Sequence, residues 1–392
     1  MKIRTGLENI LENPPAWIRG RRLGLLCNQA SVDSRLRHSK DLLHHALPGG
    51  LKCLFSPQHG LNAEKQDNMV ESADEMDPVL NIPVFSLYGD SRDPGAEQLA
   101  GIDCLVVDLQ DVGCRVYTYI WTLFLAMRAC AGSGVSVAVL DRPNPLGGIQ
   151  AEGNLLKSDC FSFVGMAPIP MRHGMTICEL ARYFLDFERL DLELHTVGMN
   201  GWERDMYFSS TGLPWVWPSP NMPTPDTAAV YPGQVILEGT NLSEGRGTTR
   251  PFEVFGAPYL DAGAVRGQLD RWGLAGFVLR DQFFEPTFHK WSGERCRGFQ
   301  IHVTDRNTFL PYLTTLAILS AVRKSSPADF VWKDPPYEYE YERMPADLIT
   351  GDRKLRDAVD AGAAPGDMQA TWREELDGFL ESRRQWLLYP AG

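Results

Sequence analysis

Residues 230–261 concentrate side chains that bind polar ligands between two short apolar runs. They include Asn241, Glu244 and Arg246. Arginine can hold a carboxylate through two parallel hydrogen bonds, and glutamate, asparagine and threonine supply the donors and acceptors that a polyhydroxylated ligand requires. The glycines of the segment let backbone N–H groups approach a ligand without obstruction by a Cβ atom. A long surface loop would also use glycines in its turns, but the mixture of residue types favours a polar-ligand site.

A second segment, residues 56–72, holds several acids close to one histidine. We predict that His59, Glu64 and Glu71 lie in one loop that follows a strand. Glycoside hydrolysis usually needs two carboxyl groups, one that protonates the leaving oxygen and one that acts at the anomeric carbon or on a water molecule. Acids in loops are normally solvated, so this chemistry requires a cleft.

Residues 108–119 follow the most apolar run of the chain and place Asp111, Arg115 and Tyr117 where a strand would end. An arginine at a strand exit can hold an anion through charge-assisted hydrogen bonds. We therefore predict that these three side chains line the rim of the ligand site.

A metal site is an alternative use of the acids and histidines. Its oxygen and imidazole ligands would be His59, Asp108, Asp111, Asp141 and His173. No compact ligand spacing connects these residues, and acids at strand ends are equally suited to accept hydrogen bonds from a hydroxylated substrate. We predict no metal ligands.

The positions of these groups depend on an alternation of apolar runs and helical segments. The runs cover residues 23–28, 51–56, 84–87, 103–109 and 135–140, and helical segments such as 42–47, 96–99 and 119–131 separate them. This repetition predicts an α/β fold with a Rossmann-like parallel sheet covered on both faces. Such sheets bind ligands beyond the carboxyl ends of their strands, so the polar residues after each run predict one crevice.

A second alternation follows Pro258, with helices at 261–272 and 310–322, strands at 277–280 and 298–304, and a mostly helical tail at 337–385. Because 392 residues exceed what one core usually supports, we predict a catalytic Rossmann-like domain at 1–234 and a smaller α/β domain at 235–392 that closes the cleft. Residues 215–226 contain four prolines and must be extended. Within them, Trp215 and Trp217 could stack on a sugar ring or fill the domain junction.

Composition excludes several classes of function. The formal net charge of −12 argues against a nucleic-acid partner. The first predicted strand is followed by CNQASVDSR rather than GxGxxG, and GxxxxGK[ST] is absent, so we expect no nucleotide cofactor and no cofactor of another kind. The eight cysteines form no CxxC pair and are expected to be reduced core thiols. No apolar leader or bilayer-length segment is present, which predicts a soluble cytoplasmic protein without a membrane partner.

Ordered motifs across nearly the whole chain resemble glycoside hydrolase family 171, the exo-β-N-acetylmuramidases, formerly catalogued as a domain of unknown function. The motifs are SPQHGLNAEKQDNMVES, PVFSLYG, DCLVVDLQDVGCRVYTYIWT, VLDRPNPLGG, EGN, PMRHGMTICELA, WPSPNMPT, YPGQVILEGTNLSEGRGTTRPFEVFGAPYLD and FHKWSGERCRGFQIHVTD. The resemblance implies an active site in the cleft between a Rossmann-like domain and a smaller one. It also implies release of N-acetylmuramic acid from the non-reducing ends of peptidoglycan fragments, without a cofactor.

The resemblance bears on the catalytic acid. Many relatives have Glu in a PEHG motif where this sequence has Gln58, and a subset like this chain has Gln there with a downstream GExQxNMxES pattern. This chain also has Ala63 where Gly is common before Glu64. We expect Glu64 to be the general acid, with Glu71 or Tyr117 helping at the anomeric centre. A substrate-assisted reaction, with the acetamido oxygen as nucleophile, would need one strong acid and a group that orients the amide.

N-acetylmuramic acid carries a lactyl carboxylate and an acetamido group, so a specific pocket needs an arginine and amide-binding groups. The predicted substrate-binding residues are Gln58, His59, Asp111, Arg115, Asn144, His173, Asn221, Asn241, Glu244 and Arg246. The expected partners are peptidoglycan-derived disaccharides or muropeptides, and the oligomeric state is left open. Two alternatives are a non-catalytic muropeptide- or glycan-binding protein, which Gln58 favours, and a metal-dependent amide hydrolase acting on amino sugars.

Overall fold

The computed structural model describes residues 3–390 apart from residues 68 and 90. Its strands are β1 (Leu23–Cys27), β2 (Leu51–Ser56), β3 (Glu75–Met76), β4 (Pro83–Ser86), β5 (Cys104–Asp108), β6 (Ser136–Leu140), β7 (Glu152–Leu155), β8 (Pro170–Arg172), β9 (Leu194–Val197), β10 (Val254–Ala257), β11 (Phe277–Phe284) and β12 (Cys296–Val303). Its α-helices are α1 (Gly6–Glu12), α2 (Ser39–Ala46), α3 (Ala96–Leu99), α4 (Tyr119–Ser133), α5 (Ile177–Glu188), α6 (Pro225–Gln234), α7 (Ala262–Trp272), α8 (Pro311–Ser325), α9 (Pro345–Thr350), α10 (Arg353–Asp360), α11 (Pro365–Ala370) and α12 (Arg373–Ser382).

Seven strands form one sheet in the order β3-β4-β2-β1-β5-β6-β9. Neighbouring strands are parallel except for β3 and β4. The chain moves outward from β1 to β4 on one side and from β5 to β9 on the other, so the strand order reverses between β1 and β5. The predicted α/β class with a Rossmann-like sheet is confirmed, and the reversal marks the edge where such sheets bind ligands.

Apolar side chains cover both faces of this sheet. On one face, Leu7 of α1 and Leu43 of α2 belong to a core built on the central strands. On the other face, Trp121 of α4 and Phe184 of α5 belong to a larger core, which continues to Leu316 of α8. The two halves of the chain therefore share apolar packing, and burial of these side chains fixes how the halves meet.

The C-terminal half contains a three-stranded antiparallel sheet in the order β10-β12-β11. Helices α6 and α7 pack against β12, and α8 packs against both helices. This is the second, smaller α/β unit that the sequence predicts. The boundary between residues 234 and 235 stays a prediction, and α6 ends at Gln234.

The fold differs from the prediction in several places. The antiparallel pair β7-β8 was not predicted, and α6 begins at Pro225, inside the tract predicted to be extended, because proline is tolerated in the first turn of a helix. β9 adds an edge strand from a four-residue segment too short to stand out in the sequence. β10 lies within the glycine-rich segment 230–261. The predicted helical tail starts only at Pro345, because residues 337–340 form a tight turn whose two central residues have left-handed φ values of 47° and 64°. Within the described residues, no helix has the length and apolar character needed to cross a membrane. All eight cysteines are buried and outside disulfides.

Candidate active site

A polar pocket lies where the two halves of the chain meet, beyond the carboxyl ends of β2 and β5. Its cavity volume is about 30 Å³. Its polar lining comes from Gln58, His59, Tyr117, Thr118, Tyr119, Ser219 and Asn221 in the N-terminal half and from Glu238, Arg246, Tyr337 and Glu338 in the C-terminal half.

The Gln58 side chain is held by hydrogen bonds at both ends of its amide. Its Oε1 accepts a hydrogen bond of 2.6 Å from the Thr118 hydroxyl. Its Nε2 donates to the Tyr88 hydroxyl at 3.0 Å and to Glu338 Oε1 at 3.1 Å. These partners fix the amide in the pocket wall. An amide has no acidic proton, so Gln58 cannot serve as the catalytic acid.

His59 lies next to Gln58 with a left-handed backbone φ of 76°, which is uncommon for residues other than glycine. Its Nδ1 is 2.7 Å from the carbonyl oxygen of Lys65. A carbonyl can only accept, so Nδ1 carries the proton and Nε2 is left as an acceptor. Burial lowers the pKa of His59 to about 4, so the ring is neutral near pH 7.

The connection between β5 and α4 brings two tyrosines into the pocket. The Tyr119 hydroxyl donates to the Pro218 carbonyl at 2.6 Å and accepts from Asn28 Nδ2 at 2.9 Å. The Tyr117 hydroxyl is buried and makes no hydrogen bond of ordinary geometry with the described residues. Burial raises the pKa of Tyr117 well above its usual value. Its neutral hydroxyl is therefore a donor that a ligand could use.

Arg246 forms the principal ion pair of the pocket with Glu238. Its Nη2 and Nε donate to Glu238 Oε1 at 2.6 and 3.1 Å. The other carboxylate oxygen, Oε2, accepts from the Tyr337 hydroxyl at 2.7 Å. Arg246 Nη1 is buried and has no hydrogen-bond partner among the described residues. The pocket wall therefore holds a buried guanidinium with one donor that no described residue satisfies.

Glu244 lies behind Arg246 and does not line the pocket. Its carboxylate is buried against Lys290 Nζ at 2.8 Å and His289 Nδ1 at 3.1 Å, and Arg246 Nε is 3.5 Å away. Burial would by itself raise the pKa of Glu244, but Lys290, with His289 and Arg246, holds it well below its usual range. The structure therefore corrects the expectation that Glu244 contacts substrate, because its partners are protein cations.

Glu338 is a second buried carboxyl group in the pocket wall. Its Oε2 accepts a hydrogen bond of 2.6 Å from the Tyr88 hydroxyl, and its Oε1 accepts from Gln58. Burial raises the pKa of Glu338 above its usual value. No ion pair among the described residues includes Glu338, in contrast to Glu238.

The structure brings five of the predicted site residues into this pocket. They are Gln58, His59, Tyr117, Asn221 and Arg246. They come from four separate segments of the chain, which agrees with the expected crevice at the carboxyl edge of the sheet.

Arg115 is elsewhere. Its guanidinium is fully buried, and Nη1 donates to the carbonyls of Asn154 and Ile169 at 2.9 and 3.0 Å. Nη2 donates to the carbonyls of Ile349 and Thr350 at 3.1 and 2.7 Å. The structure corrects the expectation that Arg115 holds an anion at the rim, because both terminal nitrogens are committed to backbone oxygens.

Glu64 and Glu71 are exposed and do not line the pocket. The Glu64 carboxylate folds back towards Gly60, where an added Cβ would lie 3.1 Å from its Oε1. Glu71 Oε1 accepts a hydrogen bond of 3.4 Å from the Tyr339 hydroxyl. A catalytic acid needs a cleft that shields it from water. The loop instead turns the carboxylates of Glu64 and Glu71 towards solvent.

His173 and Asp111 form a buried pair outside the pocket. His173 Nε2 lies 3.1 Å from Asp111 Oδ2, which also accepts from the Gly113 N–H at 2.7 Å. His173 Nδ1 accepts from the Met175 N–H at 3.2 Å, so the ring donates through Nε2. The pair braces the start of the β5–α4 connection, and the structure corrects its expected role in substrate binding.

Asn144 and Asn241 also make structural hydrogen bonds. Asn144 donates to the Met175 carbonyl and accepts from the Leu146 N–H, both at 2.9 Å. Asn241 donates to the Asp329 carbonyl at 2.8 Å, and its Oδ1 accepts from a tyrosine hydroxyl at 2.6 Å. Neither amide is free for an acetamido group, so these two expectations are also corrected.

The acids and histidines weighed as metal ligands are dispersed. Asp108 is paired with Arg142 at 2.7 Å, and Asp141 accepts hydrogen bonds from Thr176 and Tyr389 at 2.9 and 2.6 Å. The described residues contain no group of three or more His, Cys, Asp or Glu side chains arranged to hold a metal ion.

The two tryptophans of the extended proline-rich tract do not line the pocket. Trp215 packs edge-on against Phe208 at 4.7 Å and donates from Nε1 to the Met222 carbonyl at 3.1 Å. Trp217 is 50% exposed. Trp215 therefore has a packing role, and Trp217 lies at the surface.

Six of these polar lining residues were not among the predicted site residues: Thr118, Tyr119, Ser219, Glu238, Tyr337 and Glu338. Tyr337 and Glu338 fell in the tail predicted to be helical, whereas the structure places them in a tight turn before the first helix of the tail. Glu238 lies in the segment 230–261 that the sequence singled out, but its ion pair with Arg246 is visible only in the structure.

Comparisons with known proteins agree with the sequence motifs. The sequence models of the N-terminal and C-terminal domains of the exo-β-N-acetylmuramidase NamZ match residues 23–226 and 229–389. The peptidoglycan β-N-acetylmuramidase NamZ of Bacillus subtilis (strain 168) is 38% identical over 388 residues, which cover 99% of this chain and 92% of that protein. A crystal structure of a DUF1343 family protein from Bacteroides fragilis NCTC 9343 is 33% identical, with a TM-score of 0.89 and 99% of both chains covered. A second such structure from the same organism is 25% identical, with a TM-score of 0.79 and full coverage of both chains. This chain therefore belongs to the NamZ family of exo-β-N-acetylmuramidases.

Proposed function

We propose that this protein is an exo-acting glycosidase that releases N-acetylmuramic acid from the non-reducing ends of peptidoglycan-derived disaccharides or muropeptides. The observation that carries the proposal is the buried guanidinium of Arg246, which lines the pocket and whose Nη1 has no hydrogen-bond partner among the described residues. A lactyl carboxylate distinguishes N-acetylmuramic acid from N-acetylglucosamine, and a guanidinium is well suited to bind it. The similar Bacillus subtilis protein is a peptidoglycan β-N-acetylmuramidase.

The remaining pocket groups match the rest of the sugar. The Tyr117 hydroxyl is a neutral donor for the acetamido oxygen or a ring hydroxyl. The neutral His59 ring offers an acceptor to a sugar hydroxyl. Asn221 also lines the pocket, with its amide held by Gln66 at 3.1 Å. These side chains favour a polyhydroxylated ligand carrying an amide and a carboxylate over a nucleotide.

Two buried carboxyl groups, Glu238 and Glu338, supply the acid and carboxylate that glycoside hydrolysis usually requires. They come from the C-terminal half and face groups from the N-terminal half. The cleft between the domains would therefore assemble the reacting groups, whereas the exposed Glu64 and Glu71 have no role in this proposal.

The test is hydrolysis of a 4-nitrophenyl β-N-acetylmuramide and of the matching N-acetylglucosaminide, each with and without a chelator. We expect nitrophenol release from the muramide alone, unaffected by chelator. The natural disaccharide of N-acetylmuramic acid and N-acetylglucosamine should yield both free sugars. If neither the 4-nitrophenyl muramide nor the natural disaccharide is hydrolysed, the glycosidase assignment is refuted.

One observation favours a second candidate, a non-catalytic muropeptide-binding protein: the amide of Gln58 at a position where an acid would be expected. That protein would bind the disaccharide saturably in calorimetry without cleaving it. Release of acetate from the amino sugar, abolished by chelator, would instead indicate a metal-dependent amide hydrolase.

A further inference from the structure

We propose that Glu338 is the catalytic acid of this pocket, which donates a proton to the glycosidic oxygen, and that Gln58 and Tyr88 are positioning residues for its carboxyl group. The inference rests on the proposed muramidase function. It assigns the acid to the C-terminal domain, across the cleft from the loop of Glu64.

The first support is geometric. Glu338 lines the pocket, and each of its carboxyl oxygens has a partner on the opposite domain, Tyr88 at 2.6 Å and Gln58 at 3.1 Å. Gln58 is itself held by Thr118 at 2.6 Å. A catalytic proton donor must be held close to one orientation, and this network provides that restraint.

The second support is the difference between the two buried carboxyl groups. Glu238 is paired with the guanidinium of Arg246 at 2.6 Å, and its other oxygen accepts from the Tyr337 hydroxyl. Glu338 has neutral hydrogen-bond partners, and burial raises its pKa. When environments separate the protonation of two acids in one site, the neutral acid is the proton donor and the ionised group stabilises positive charge.

The third support is the backbone that presents Glu338. Tyr337 and Glu340 exchange backbone hydrogen bonds of 2.9 and 3.0 Å, which close a two-residue turn. Its central residues, Glu338 and Tyr339, have φ values of 47° and 64°. Such turns normally use Asn-Gly or Asp-Gly, because side chains in the left-handed region cost about 1–2 kcal/mol per residue. Strained residues of this kind cluster at active sites.

The proposed step conserves atoms and charge. The proton of the Glu338 carboxyl group passes to the glycosidic oxygen while the bond between C1 and that oxygen breaks, and the bonding electrons stay with the oxygen. The leaving sugar departs as an alcohol, and Glu338 becomes a carboxylate. One water molecule supplies the new hydroxyl at C1, and its released proton restores the Glu338 carboxyl group.

The test compares leaving groups. A 2,4-dinitrophenyl β-N-acetylmuramide needs no proton on its leaving oxygen, whereas the natural disaccharide does. We expect Glu338→Gln to lower kcat/KM for the disaccharide by about 10²–10⁴-fold, the usual contribution of general acid catalysis, and that for the activated substrate by less than about tenfold. Glu342→Gln is the matched control, an exposed acid of the same segment, and should keep wild-type rates on both substrates.

Glu338→Asp, which keeps a carboxyl group one methylene shorter, should show the same selective loss and serves if the amide variant does not fold. Equal losses on the two substrates, or wild-type rates on the disaccharide, would overturn the assignment of the acid. Selective loss of disaccharide activity in Glu64→Gln with normal rates in Glu338→Gln would overturn it in favour of Glu64. If the wild type cleaves neither substrate, the proposed function itself fails.

Discussion

Gln58 and Glu338 are 280 positions apart in the chain and are joined by a hydrogen bond of 3.1 Å across the cleft. The bond links the loop after β2 to the tight turn at residues 337–340. The amide nitrogen of Gln58 donates this bond, and an oxygen of the Glu338 carboxyl group accepts it. The bond can form whether the carboxyl group is protonated or ionised. The contact therefore ties the position of the buried acid to the N-terminal half of the chain.

Arg246 is expected to determine the preference for N-acetylmuramic acid. Arg246→Lys keeps the charge beside Glu238 but removes the forked donors, so the KM for N-acetylmuramides should rise about ten- to a hundredfold, equivalent to about 1.5–3 kcal/mol. Steady-state kinetics would measure it. Arg250→Lys, at a half-exposed arginine of the same segment, is the control. Equal turnover of muramides and glucosaminides by the wild-type protein would contradict this role.

Tyr117 should matter to activity and not to stability. Tyr117→Phe removes a buried hydroxyl without a protein partner, so the midpoint of thermal unfolding should stay the same or rise, while kcat/KM falls about tenfold. Tyr119→Phe is the contrasting variant, because its hydroxyl bonds Pro218 and Asn28 and its loss should lower the midpoint. Wild-type kcat/KM in Tyr117→Phe would show that the hydroxyl does not contact substrate.

Arg115 should matter to stability. Replacing it with methionine removes one buried donor from each of four backbone carbonyls, two of which keep other donors, and we expect the free energy of unfolding in urea to fall by about 3 kcal/mol. The fraction that folds should retain the KM of the wild type. A normal urea midpoint combined with a raised KM would restore Arg115 as an anion-binding residue.

Glu152 is expected to make stability depend on pH. Burial raises the pKa of Glu152 to about 7, so the folded state binds its proton more tightly than the unfolded state. Its contribution to the free energy of unfolding is therefore lost as pH rises from about 4.5 to about 7. The loss is on the order of 1 kcal/mol per pH unit.

Glu152→Gln removes this titration. The difference in unfolding free energy between wild type and variant, measured in urea at pH 5, 6 and 7, should shift in favour of the variant as pH rises. Because His59 and His38 titrate in both proteins, the difference cancels their opposite effect. A pH-independent difference would show that Glu152 is ionised in the folded protein over this range.

The fold class followed from the sequence because it depends on local patterns. Apolar runs such as 51–56 and 135–140 must be buried wherever they lie, and a regular spacing of helices between them permits few topologies other than a parallel sheet. The same rule placed Gln58, His59 and Tyr117 near the ligand edge, since each closely follows a strand or precedes the helix after one. Arg246 was recognisable from the mixture of residue types around it.

The partners of each side chain were decided only by tertiary structure. Arg115 and Arg246 both lie among polar residues in the sequence. Arg115 donates to four backbone carbonyls, whereas Arg246 lines the pocket and has one donor without a partner among the described residues. The two acids Glu64 and Glu338 also differ from what the sequence suggested. Glu64 lies in the motif expected to be catalytic and is exposed, whereas Glu338 lies in the tail and is buried. Burial and pairing are set by segments distant in the chain, and these set the pKa and availability of a charged group. The sequence alone therefore determined the sheet and the edge at which the site forms, and the tertiary structure decided which acids and arginines face it.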